Sequence, residues 1–200
     1  MSPGPVPRTD NDQVLVARVQ AGDRAAFDLL VRKYQYRIYK FITRYVRDAN
    51  LAFDITQETF LRAYRSIRSF RGDSAFYTWL YRIAINASKN HLALEARRQE
   101  SALVEDGERE AANSLEGLQS LETPEALLIS EEMRQVIVQA IQELAPDLRM
   151  AILLREVEGF SYEDIAETMN CPIGTVRSRI FRAREAINSR LEPLLGGGGN

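Results

Sequence analysis

Apolar residues recur at intervals of three and four along most of this chain, and nowhere do they alternate with polar ones long enough to demand a strand. The pattern predicts an all-helical protein. A short helix from about Asp12 ends at Gly22, which can take the left-handed cap. Asp23 opens a long helix whose Phe27, Leu30, Val31, Tyr34, Ile38, Phe41, Ile42 and Tyr45 form one stripe for the core. Asp54 with Gln57 reads as a capping box for a third helix, stapled by Phe53 and burying Phe60, Ala63, Tyr64 and Ile67. Past the loop from Phe70 to Ser74, Ser74 caps a fourth helix with Phe76, Leu80, Ile83, Ala84 and Ala87 inward.

Periodicity fades between Gln99 and Thr123, where Glu, Ser, Ala, Asn and Gly cannot assemble a core. It returns after Pro124 with Met133, Val136, Ile137, Ala140, Ile141 and Leu144 on one face, and Pro146 stops that helix and starts another carrying Leu148, Ile152 and Val157. Gly159 ends it, Ser161 with Asp164 opens a short helix through Met169, and Asn170-Cys171-Pro172 turns into a last helix from about Gly174. The organisation expected is a disordered start over 1–11, a four-helix domain over 12–98, a flexible acidic linker over 99–123, a second small helical domain over 124–195 and a Gly-rich tail over 196–200.

Composition narrows the class. At 45% apolar and 27% charged residues the chain can bury a core, no apolar run is long enough to span a bilayer, and MSPGPVPRTD lacks the apolar centre of a signal peptide. A cytoplasmic protein is expected. One cysteine, Cys171, and one histidine, His91, exclude a disulfide framework and a metal cage built from such ligands. No carboxylate cluster has the placement for a metal pair or an acid and base; Glu163, Asp164 and Glu167 read as capping and solubility residues. Hence neither a catalytic residue nor a cofactor is expected. The net charge of −2 conceals segregation: residues 62–98 carry eight Lys and Arg against two Asp and Glu, residues 93–125 three against nine, and residues 177–190 five against one. Two basic stretches flanking an acidic one suit two surfaces for a polyanion joined by a segment that repels it.

Two short helices joined by a tight turn, the second strongly basic, form the pattern of a helix-turn-helix DNA reader, and residues 161–190 fit it. With Val176, Ile180, Ala183 and Ile187 inward, the opposite face presents Thr175, Arg177, Ser178, Phe181 and Arg182. Arg offers a bidentate fork to guanine, Ser a donor and acceptor, and Phe an apolar surface for a thymine methyl. Arg155 and Tyr162 lie at helix ends where they can hold phosphates. On the fourth helix Trp79, Arg82 and Asn86, with Lys89 or Asn90, share a face read as outside the core, beside the loop carrying Phe70. Unstacked bases need such aromatic planes and amide donors. A bland alternative stays open, with Trp79 a half-buried core residue and Arg82 a surface charge.

Three runs carry a family likeness: Asp54-Ile55-Thr56-Gln57-Glu58-Thr59-Phe60, the stretch from Phe70-Arg71-Gly72-Asp73-Ser74-Ala75-Phe76 through Trp79 to Ala84, and Gly174-Thr175-Val176-Arg177-Ser178-Arg179-Ile180-Phe181-Arg182-Ala183-Arg184. They resemble bacterial extracytoplasmic-function sigma factors of RNA polymerase, in particular the envelope-stress sigma-E and AlgU type, over about residues 12–195. The resemblance implies a chain that binds core polymerase through its beta and beta-prime subunits and opens promoters without making a covalent bond itself. Asp54, Gln57, Glu58 and Phe60 would dock on the polymerase clamp. Phe70, Ser74, Ala75, Phe76, Trp79, Arg82 and Asn86 would melt and hold the non-template strand near minus ten. Arg177, Ser178, Phe181 and Arg182 would read the minus-thirty-five duplex, with Arg155, Tyr162 and Thr175 on its backbone. It further implies an envelope-stress regulon and sequestration by an anti-sigma protein, often membrane-tethered, holding this soluble chain at the inner membrane. The competing reading is a stand-alone dimeric helix-turn-helix regulator.

Overall fold

In the computed structural model, residues 10–46, 48–102 and 124–196 are described, and every regular element among them is helical. By their contacts the helices fall into two units, those within residues 10–102 in one and those within residues 124–166 and 171–196 in the other. Residues 103–123 of the linker expected over 99–123, residues 1–9 of the start expected over 1–11 and residues 197–200 of the tail expected over 196–200 lie outside the described residues.

In the first unit α1 (Asp10–Gln20) turns at Gly22, whose φ of +100° suits the residue that lacks a Cβ. Asp23 accepts the Ala26 N–H at 3.2 Å and so caps α2 (Arg24–Val46). Leu30, Tyr34, Ile38, Phe41, Ile42 and Tyr45 of α2 are buried as the period requires, whereas Val31 is half-buried. Against them pack α1 and α3 (Ala49–Ser66), with α4 (Phe76–Ala102) packed in turn on α3. Tyr34 meets Phe76 at 5.7 Å and Phe41 meets Tyr81 at 5.2 Å between ring centroids. Buried Asp12 anchors α1 by accepting from Lys33 at 2.6 Å and from the Tyr34 hydroxyl, and burial followed by that carboxylate pushes the Tyr34 hydroxyl far above the phenol range.

Three expectations fail here. Asp48, extended at φ −100° and ψ 119°, caps α3 by accepting from Asn50 N–H at 2.8 Å and Leu51 N–H at 3.0 Å, so Asp54 and Gln57 lie inside the helix and form no capping box. Phe53, within that helix, is 54% exposed and staples nothing. The first bond of α4 runs from Trp79 N–H to the Ala75 carbonyl at 3.1 Å, which puts Ala75 and not Ser74 at the cap position. Further along, α4 continues to Ala102, beyond the boundary expected at Arg98, and Ile83 is only half-buried.

In the second unit α5 (Pro124–Glu143) packs on α8 (Ile173–Gly196), as does α6 (Pro146–Ile152). Of the apolar face expected on α5, Ala140 and Leu144 are buried, while Met133, Val136, Ile137 and Ile141 are half-buried. Pro146 stands at the first position of α6, where its missing N–H costs nothing. A π turn over Leu153–Val157 widens the end of α6 before Gly159 at φ +72°, and Phe160 then folds into the core. Ser161 and Asp164 cap α7 (Tyr162–Met169) reciprocally: the Ser161 hydroxyl accepts the Asp164 N–H at 3.0 Å, and the Asp164 carboxylate accepts the Ser161 N–H at 3.3 Å.

Candidate functional site

The loop between α3 and α4 starts from a 3-10 turn at Ile67–Ser69 and presents Arg71, Gly72 and Asp73 to solvent, with Gly72 at φ +77°. Phe70 is half-buried and folds back on α4, its ring centroid 5.0 Å from Trp79 and 6.2 Å from Phe76. Phe76 and Trp79 themselves lie 5.7 Å apart. The three rings make one cluster, and Trp79 is only 9% exposed within it. The tryptophan is therefore core and not the open platform that the helical period suggested, because the loop closes over its face. Ser74, Ala75 and Arg82 are half-buried and Asn86 is exposed, so the part of this site that faces water is the loop together with the edge of α4.

On α3 the residues expected to meet a partner divide. Asp54 and Gln57 are exposed, but Phe60 is 9% exposed and belongs to the core. Tyr64, expected inside, is 41% exposed even though its ring lies 4.9 Å from Phe27. Phe53 and Leu61, exposed at 54% and 57%, flank Gln57 at four-residue spacing and give the polar face an apolar stripe. Their signal in the sequence is the four-residue spacing of Phe53, Gln57 and Leu61, which a helix starting at Asp54 breaks by leaving Phe53 outside it. Glu58 is held from two sides, by Nε2 of His91 on α4 at 2.6 Å and by Arg62 at 2.5 Å. His91 and then Arg62 keep the Glu58 carboxyl below the ordinary glutamate range. A depressed carboxylate contributes stability above its unfolded pKa and loses it as pH falls through the folded one. The melting temperatures of wild type and Glu58→Gln should thus differ most at neutral pH and converge on acidification, the gap staying small because both partners are a third exposed.

In the second unit α7, the turn and α8 build the expected motif. Asn170 takes φ +51°, Cys171 N–H returns to the Ala166 carbonyl at 3.0 Å, and Val176, Ile180 and Ala183 are buried. Arg177, Ser178, Phe181 and Arg182 are exposed, Phe181 at 63%, and Thr175 is half-buried. The Ser178 hydroxyl donates to the Thr175 carbonyl at 2.9 Å, which leaves its lone pairs outward. Charge is divided sharply along α8. Arg179 pairs with Asp147 of α6 at 2.5 Å, Arg184 with Glu156 of the π turn at 2.6 Å, and Arg190 with Glu143 of α5. These arginines staple the unit, whereas Arg177 and Arg182 have no ion partner among the described residues. Arg155 donates to the Phe160 carbonyl at 2.7 Å and covers the Tyr162 ring at 4.7 Å, so it braces the turn into α7 and holds Tyr162 in place.

Among the described residues no group of His, Cys, Asp and Glu could hold a metal ion, and no helix is long and apolar enough to cross a membrane. Comparison with known proteins extends the geometry. Residues 30–98 match the model of Sigma-70 region 2, and residues 134–187 match that of Sigma-70, region 4. The chain is 54% identical to the ECF RNA polymerase sigma-E factor of Escherichia coli (strain K12) over 92% of its own length and 96% of the relative's. It is 55% identical to the RNA polymerase sigma-H factor of Pseudomonas aeruginosa over 93% and 96%. Among solved structures, a Bartonella quintana sigma factor RpoE in complex with the anti-sigma factor NepR aligns at a TM-score of 0.64 and 26% identity, covering 86% of this chain and 98% of that one. CnrH in complex with the cytosolic domain of CnrY shares the fold at a TM-score of 0.65 and 22% identity, over 92% and 99%. Two family regions in their proper order and more than half of all residues shared over nearly the full length leave one assignment: the chain belongs to the extracytoplasmic-function sigma factors of bacterial RNA polymerase.

Proposed function

We propose that this chain joins core RNA polymerase through the α3 face of Phe53, Asp54, Gln57 and Leu61. On that platform it captures the melted non-template strand of the minus-ten element with the Phe70–Phe76 loop and the Arg82 and Asn86 edge of α4. The minus-thirty-five duplex is read by Arg177, Ser178, Phe181 and Arg182, with Thr175, Tyr162 and Arg155 set toward its phosphates. The chain forms no covalent bond and needs no cofactor. An anti-sigma protein, membrane-anchored or soluble, competes for the polymerase-binding face and keeps the chain in the cytoplasm or at the inner membrane until an envelope signal releases it.

The observation that carries this reading is the division of arginines on α8, where three brace the fold and two point outward beside an exposed phenylalanine. A duplex reader needs charge that its own fold has not neutralised. Replacing Arg177 or Arg182 by Ala is expected to weaken promoter binding of the reconstituted holoenzyme by about 1–3 kcal/mol each where the contact is to a base, and to relax specificity at one position. If the residue meets phosphate instead, the loss is uniform across sequences and the salt dependence becomes shallower. The deciding experiment is transcription with purified core enzyme on promoters mapped in the cell. No stimulation over core alone refutes the proposal, and tight palindrome binding without polymerase favours the dimeric regulator.

A further inference from the structure

Gln20, the last residue of α1, lies outside every surface described so far. Its side-chain amide nitrogen donates to the carbonyl of Ile67 at 2.9 Å and to the carbonyl of Phe70 at 2.8 Å. An amide nitrogen carries two hydrogens, so both donors are used and both go to one turn. That turn is where α3 gives way to the loop. Phe70 N–H bonds the Ile67 carbonyl at 3.1 Å, and Phe70 then leaves in an extended conformation, φ −70° and ψ 116°, where no helical ladder supplies a donor to its own carbonyl. Arg71, Gly72 and Asp73 beyond it are exposed, so the direction in which the loop departs is set at Phe70. The Phe70 ring in turn covers Trp79. Gln20 is itself fixed, since α1 ends there, Gly22 turns the chain and Arg18 pairs with Asp23 at 2.7 Å.

We propose that Gln20 is a positioning residue for promoter opening: by holding the Ile67 and Phe70 carbonyls together it orders the loop before DNA arrives. A loop that is already ordered loses less conformational entropy on binding a flexible strand, and the difference appears as affinity. This inference rests on the reading of the Phe70–Phe76 loop as the single-strand site, and its test separates the two.

Two measurements serve, one of them without DNA. Trp79 is the only tryptophan of the chain, so acrylamide quenching of its fluorescence reports whether Phe70 still covers it. Retention of holoenzyme on a fork-junction promoter, duplex upstream and single-stranded across the minus-ten element, reports strand capture. Gln20→Met keeps length and removes both donors, whereas Gln20→Lys restores donors through an ammonium; Phe70→Ala serves as the loop benchmark. Gln20→Met is expected to raise quenching about twofold and to weaken fork-junction binding about tenfold, the scale of two lost hydrogen bonds, at unchanged affinity for core enzyme, with Gln20→Lys recovering to within about threefold. Fork-junction binding that stays at the wild-type value in Gln20→Met while Phe70→Ala loses it overturns the role of Gln20 and leaves the loop reading standing. Loss in Gln20→Met with a lowered melting temperature and no recovery in Gln20→Lys marks damage to the fold and also overturns it. Unchanged binding in Phe70→Ala instead refutes the loop reading, and the quenching comparison still decides whether Gln20 holds the turn.

Discussion

Trp79→Ala is expected to destabilise the α1–α4 unit by about 3–5 kcal/mol, the usual cost of emptying a buried tryptophan site, and to abolish promoter opening with it. The ring is 9% exposed and touches both Phe70 and Phe76, so its removal leaves a cavity under the loop and frees Phe70 from its packing partner. Against a typical domain stability of about 5–15 kcal/mol that loss is large. Trp79→Phe keeps an aromatic ring in the cluster; it should cost far less and retain part of the opening activity. Thermal melting together with permanganate reactivity of unpaired promoter thymines distinguishes the cases. Were Trp79→Ala to melt like wild type yet fail to open DNA, the indole would be a direct base platform and the packing described above would be wrong.

Trp79 also shows where a one-dimensional pattern stops informing. Helical period places Trp79, Arg82 and Asn86 on one face, and that placement is right as geometry. What closes over the top of that face is a loop residue nine positions earlier, and nothing in the spacing of α4 announces it. The start of α3 was missed for a related reason: Asp48 and Asp54 are both acceptable caps, the residues between them are mostly good helix formers, and only the extended backbone at Asp48 decides. Where the local signals agree, legibility is high. The caps at Asp23 and Ser161 and the Pro146 start stand as spacing and residue type imply, as do the core stripe of α2 apart from Val31 and the inward face of α8 apart from Ile187, both of which are half-buried. The exposure of Arg177 and Arg182 followed from period too. That Arg179, Arg184 and Arg190 are engaged did not, because their partners lie 28 to 47 residues away along the chain. Contacts of that kind, like His91 with Glu58, come from packing between helices and leave no local trace.

Arg149→Met should produce the second large effect, confined to the α5–α8 unit. Arg149 is 9% exposed and donates from Nε to the Ile141 carbonyl at 3.2 Å, and from Nη2 to those of Gln142 at 2.6 Å and Leu144 at 2.9 Å. These are carbonyls at the C-terminus of α5, where the regular helical donors run out and the Ile141 carbonyl accepts the Leu144 N–H at 3.3 Å, and a guanidinium there both supplies donors and opposes the negative end of the helix dipole. Hydrogen bonds to a charged donor contribute about 1.5–3 kcal/mol each and are not additive, so a loss of about 3 kcal/mol is expected when methionine fills the volume without donors. Leu144 is buried, so water is poorly placed to replace the donor there, while Ile141 and Gln142 are half-buried and recover part of theirs. The readout follows from composition. Because the one tryptophan sits in the other unit, far-UV circular dichroism should show an earlier melting phase in Arg149→Met while the Trp79 fluorescence transition stays at the wild-type temperature. Duplex binding to the minus-thirty-five element should fall in the same temperature range, since α8 is held by the elements that Arg149 secures. A fluorescence transition that moved down together with the circular dichroism would show instead that the two units unfold as one.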